Sequence, residues 1–122
     1  MIKHIHLRIL ILSLVLLYSV PSTWANVEAK NLKIDVVRQF GFLIEKVNNR
    51  HTYTPELSQI AAKIQENLYF LRDQLNSSIR AQDFDRIEER LLGAISDWEN
   101  VDLIPASVKL QKARNLLQTF AF

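Results

Sequence analysis

Between residues 57 and 79 apolar side chains recur at steps of three or four: Leu57, Ile60 with Ala61, Ile64, Leu68, Leu71, Leu75 and Ile79. Residues at that spacing stack on one face of an α-helix, whereas a strand alternates its faces every second residue. A stripe this long must be buried against other helices, and its near-heptad period suits a shallow crossing angle. Thr54-Pro55-Glu56 marks its start. The threonine oxygen can cap, the proline lacks an N–H that the first turn would leave unused, and the carboxylate faces the positive end of the helix dipole.

Three further segments carry the same period. Residues 28–49 place Val36, Phe40, Leu43 and Val47 in line, widened by Val37 and Ile44, and end at Asn48-Asn49. A third segment is expected to open at Asp83 or Asp85, with Glu88 completing a capping box, and to bury Phe84, Ile87, Leu91, Ala94, Ile95 and Trp98. A fourth opens near Pro105 and aligns Ala106, Leu110, Ala113, Leu117 and Phe120 after a link over Asn100 to Ile104. Short links join antiparallel neighbours, so the expected fold is all-α, an up-down four-helix bundle. Its helices would be unequal, about 22, 26, 15 and 16 residues, leaving the first pair to overhang the second by roughly 10 Å. Two stacked helical hairpins are the competing arrangement.

The first 25 residues read differently. A basic start with Lys3 and Arg8 precedes a twelve-residue apolar run from Ile9 to Val20, then Pro21-Ser22-Thr23-Trp24-Ala25. A spanning helix needs roughly 20 apolar residues, so this run is short for a membrane anchor and has the layout of a secretory signal. Cleavage is expected between Ala25 and Asn26, leaving residues 26–122 as one helical domain that is secreted or periplasmic; retention as an anchor is the alternative. The net charge of +2 comes from Lys3 and Arg8, so the remaining 13 basic and 13 acidic residues balance. That balance removes the case for a nucleic-acid partner.

Several chemistries lack their residues. The chain has no Cys, which excludes disulfides, thiolate metal sites and covalent haem attachment. After residue 25 it has one histidine, His51, and no methionine, so axial haem ligation and multi-histidine metal binding find no donors. The apolar stripes hold no inward carboxylate of the kind di-iron bundles use. Asp83-Phe84-Asp85 fails as a calcium loop because Ile87 and Glu88 stand where a ligand and a glycine are required. The serines have no base other than His51 and no glycine-containing elbow. No catalytic residue, metal ligand or cofactor is therefore expected. Asn76-Ser77-Ser78 has the form of a glycosylation acceptor, placed within an expected helix.

Two sets of residues remain as candidates for binding. Leu68-Tyr69-Phe70-Leu71 is apolar over four successive positions, which turns all the way round a helix, and Phe42 lies off its stripe beside Gly41, where a missing side chain would admit a close backbone approach. Phe42, Tyr69 and Phe70 are thus either a wider internal face or a patch for a protein partner or a second copy. Arg72, Arg80, Arg86 and Arg90 are candidates for anion binding between helices, as in helical mutases that clamp dicarboxylates, although nearby Asp83 and Glu89 also fit a solvated face of mixed charge. In helix pattern and size the last two segments resemble extrinsic photosystem subunits, exported four-helix proteins that dock on a membrane complex; no diagnostic motif accompanies the resemblance. The expected function is that of an exported, non-enzymatic, protein-binding adaptor or extrinsic subunit. A small-molecule binder or bundle enzyme with an arginine-lined pocket is the alternative.

Overall fold

The structure, a computed structural model, describes residues 27–74 and 78–122. The signal segment, its Ala25/Asn26 cleavage site, Leu75 and the Asn76-Ser77 part of the glycosylation motif lie outside them. The described residues form four helices and no strand, so the fold is all-α. We label them α1 (27–48), α2 (Pro55–Asp73), α3 (Ser78–Glu99) and α4 (Leu103–Gln118).

The apolar stripes become one core. Val36, Phe40, Leu43 and Val47 from α1 meet Ile64, Leu68 and Leu71 from α2, Ile87, Leu91 and Ala94 from α3, and Leu110, Ala113 and Leu117 from α4, all buried. Each fully buried large aliphatic side chain contributes about 1.5–3 kcal/mol relative to exposure, so this shared core holds the helices together. Polar contacts set how neighbours lie. Lys109 in α4 reaches Asp97 near the end of α3 at 2.6 Å, while Arg80 near the start of α3 donates to Thr119 just past α4 at 3.2 Å. Likewise Arg72 late in α2 meets Asp85 early in α3 at 2.6 Å, and Gln65 earlier in α2 meets Glu88 farther along α3 at 2.8 Å. Each of these two pairs of helices therefore runs side by side in opposed directions.

Thr54 caps α2 as its sequence predicts, accepting from the Leu57 amide at 3.3 Å, with Pro55 as the first helical residue. The second boundary differs from expectation. Helix α2 stops at Asp73, with Gln74 as its cap, and α3 opens at Ser78 instead of Asp83 or Asp85. Asn and Ser side chains compete for backbone hydrogen bonds and so favour a break, whereas Arg80, Ala81 and Gln82 are good helix formers and extend α3 backwards. The Asp85/Glu88 capping box consequently does not form. Both carboxylates lie inside α3 and bond to α2 side chains. The lengths become 22, 19, 22 and 16 residues, so α4 alone is short and the expected overhang of the first pair is replaced. Gly41 also differs, since no atom outside its helix lies within 4 Å of where a Cβ would stand.

Two helix ends share an uncommon turn. After α1, the Arg50 amide bonds to the Val47 carbonyl and the His51 amide to the Lys46 carbonyl; after α3, the Val101 amide bonds to Trp98 and the Asp102 amide to Asp97. This paired bonding ends a helix with a left-handed residue, usually glycine. Here the positions are held by Arg50 (φ 59°) and Val101 (φ 60°). A β-branched residue in that region is strained by about 1–2 kcal/mol.

Candidate functional site

The two strained turns come together at one end of the molecule, where the last turn of α1 meets the first turns of α4. Ser107, 8% exposed, donates to Asn48 Oδ1 at 2.6 Å and accepts from Gln111 Nε2 at 3.0 Å, tying the two helices by a buried polar chain. Above this chain lies a groove of about 810 Å³, with Val47 in its floor and Arg50, Val101, Asp102, Ile104 and Val108 around it. Its rim holds the most exposed apolar residues described: Ile104 at 81% and Val101 at 78%, with Val108 at 42%. Ile104 and Val108 stand one turn apart on the side of α4 away from Leu110, Ala113 and Leu117, so they form a ridge that the core does not use.

The floor beneath Val101 is firm. Trp98, 3% exposed, donates its indole N–H to the His51 carbonyl at 2.7 Å, and its ring tilts against Tyr53 at a centroid distance of 5.3 Å. A smaller hollow of about 200 Å³ opens beside them and shares Arg50, Val101 and Leu103 with the larger groove. Charges of both signs surround these openings: Arg50 and Asp102 on the larger one, and Glu99 on the smaller. Asp102 precedes α4 without making a side-chain cap bond, and among the described residues neither Asp102 nor Arg50 takes part in an ion pair. The site thus offers aliphatic contact area with one cation, Arg50, and two anions, Asp102 and Glu99, on a rigid base, which suits recognition of a surface. It holds no nucleophile with a base.

The candidate aromatics are exposed but separated. Tyr69 is 50% exposed, yet its hydroxyl donates to Glu88 Oε1 across to α3 at 3.1 Å. That bond and the adjacent negative charge of Glu88 raise the phenol's pKa above its ordinary value, because ionisation would remove the donor and set two anions together. Phe70 faces a different hollow, of about 280 Å³, with Leu32 of α1. Phe42 lies 5.2 Å from the Lys46 ammonium and lines a third hollow, of about 220 Å³. Phe42 and Phe70 thus line different hollows, and Tyr69 reaches toward α3.

The arginines divide too. Arg72 pairs with Asp85, while Arg80 lies over the Phe120 ring at 3.9 Å and has its Nε 3.1 Å from Asp83, although that N–H is not aimed at the carboxylate. Arg86 and Arg90 do line one groove with Lys109, about 410 Å³ in volume. Within it Arg86 lies 3.6 Å from Asp83, Lys109 lies 2.6 Å from Asp97, and Glu89 forms part of the wall. His51 is exposed and contributes its backbone carbonyl to the Trp98 bond. Among the described residues no group of three or more His, Asp or Glu could hold a metal ion.

Sequence reasoning passed over Val101, Ile104 and Val108 because the first two fall in an apparent link between helices. A signal was present: three large apolar residues in a five-residue link, and Ile104 with Val108 four apart and out of phase with the Leu110, Ala113 and Leu117 stripe. No protein-family model, no curated protein and no solved structure matches the chain.

Proposed function

We propose that the chain is an exported, non-enzymatic helical protein that binds another protein through the open end formed by α1 and α4. Its four helices form an up-down-up-down bundle following a signal segment over residues 1–25, and it works as an adaptor or extrinsic subunit. Opposed neighbours at α2/α3 and α3/α4 support the bundle, as do the contacts of Asn48 with Ser107 and of Lys33 with the Phe120 carbonyl, which join opposite ends of α1 to opposite ends of α4. Export rests on the basic start, the apolar run and the small residues before Asn26. No helix among the described residues is long and apolar enough to cross a membrane.

The observation that carries the binding reading is the exposure of Val101 and Ile104 beside a groove of mixed apolar and polar lining. Exposed aliphatics scattered singly need no explanation, but contiguous ones around a concavity mark interaction sites. The test is retention of a protein from a native envelope extract by the full chain compared with its Ile104→Asp/Val108→Asp variant. Loss of retention with unchanged helicity is expected; equal retention by both proteins would remove the reading. N-terminal sequencing of the protein from its own cells is expected to begin at Asn26, and an intact Met1 start would contradict cleavage.

A second reading is favoured by the meeting of Arg86, Arg90 and Lys109 in one groove, which would take a dicarboxylate or phosphate. Asp83 and Asp97 already engage two of these three cations, which places it behind the first. Calorimetric titration with succinate or inorganic phosphate separates the two readings, because only the second expects heat that Arg90→Ala abolishes.

A further inference from the structure

We infer that the occupant of the open end is a second copy of this chain, joined about a two-fold axis at the α1/α4 groove. The inference rests on the binding reading above and names its partner. The first argument is shape. A ridge, Ile104 with Val108, runs directly beside a groove floored by Val47, so the surface carries a projection and its receptacle side by side. A two-fold rotation sets the ridge of each copy into the groove of the other, since an isologous contact uses one patch twice and closes on itself.

Charge is the second argument. The rim holds one cation, Arg50, and one anion, Asp102, each exposed and without an ion-pair partner among the described residues. A two-fold axis that passes between the two residues pairs Arg50 of one copy with Asp102 of the other, twice, which complements both charges lining the groove without any other molecule. A like-charged rim would repel its own copy. Backbone geometry agrees with both points: Val101 is held at φ 60° where glycine would relax the turn, and the valine side chain it presents there is 78% exposed. A strained residue with its side chain in water adds nothing to the monomer's own packing.

The chain has no Cys, so single cysteines report on one face at a time. Sedimentation equilibrium of the protein isolated from its own cells is expected to give twice the mass of its single chain, and the Ile104→Asp/Val108→Asp variant to give the single-chain mass with unchanged circular dichroism. A short bis-maleimide is expected to join two copies of Val108→Cys and not two copies of Tyr69→Cys. Arg50→Asp should weaken association by about tenfold or more, and adding Asp102→Arg should restore it. A monomer at every concentration up to the solubility limit, a dimer indifferent to residues 104 and 108, or equal cross-linking at position 69 would each overturn the inference. A monomer whose wild-type form alone still retains a protein from native extract would leave the binding reading standing while this one falls.

Discussion

Around the start of α3 and the end of α4, Phe84 and Phe120 are 2% and 3% exposed with ring centroids 4.5 Å apart, whereas at the opposite end Val101 and Ile104 stand 78% and 81% exposed. The first end is closed by the chain itself. Beyond α4, Phe120 turns inward against Phe84, Phe122 stacks behind it at 6.1 Å, Arg80 covers the Phe120 ring, and the Lys33 ammonium donates to the Phe120 carbonyl. The second end has an equally firm base in Trp98, Tyr53 and the Asn48–Ser107–Gln111 chain, yet among the described residues nothing covers its rim. Both ends contain large apolar residues. What separates them, among the described residues, is a lid: Phe120, Phe122, Arg80 and Lys33 supply it at one end, and the proposed second copy supplies it at the other.

The comparison is sharpest in truncation. At concentrations too low for association, Phe120→Ala is expected to destabilise the fold by about 3–5 kcal/mol in chemical denaturation, while Ile104→Ala should move stability by no more than about 0.5 kcal/mol. Similar losses from both would break the distinction between the ends. Val101→Gly is expected to stabilise the chain by about 1 kcal/mol, because glycine occupies a left-handed turn without the β-branched clash. Its thermal midpoint should rise even as association falls.

Away from both ends the effects are smaller and purely local. Thr54→Ala should cost about 1 kcal/mol through the lost cap on α2, and Gly41→Ala should add up to about 1 kcal/mol because its site is open. The smallest effect concerns alkaline pH. The folded pKa of Tyr69 lies above its model-compound value of 10.0, so the folded state holds a proton that the unfolded chain releases first. Stability from this group is therefore complete below about pH 10 and declines as pH rises toward the folded pKa. Denaturation across that range should show a shallower decline in Tyr69→Phe than in the parent chain.

Much of this was readable in the residues. Stripes such as Val36-Phe40-Leu43-Val47 and Leu110-Ala113-Leu117 locate the core because burial selects apolar side chains at the helical period, and Thr54-Pro55 locates a start because capping chemistry is local. The boundary between α2 and α3 is hidden because Leu75 and Ile79 continue the four-residue spacing of Leu71, so periodicity alone runs through Asn76-Ser77-Ser78 and changes phase only at Phe84. Asp85 has the chemistry of a cap and is spent on Arg72 instead, a choice made by a neighbouring helix and not by adjacent sequence. Exposure was harder still. Phe42, Tyr69 and Phe70 announce themselves by size, but that Phe42 and Phe70 line different hollows while Tyr69 reaches Glu88 depends on how helices rotate against one another. Val101 and Ile104 look like linker residues until the turn after α3 lifts them beside the end of α1.

The central claim is that one end of the molecule is finished and the other is an interface. Amide hydrogen exchange of the full chain, followed from dilute to concentrated solution, tests this directly. Slower exchange confined to residues 47–51 and 101–111, with no change around Phe84 and Phe120, is the predicted result. Concentration-independent exchange throughout, or new protection centred on the Phe84/Phe120 end, would contradict it.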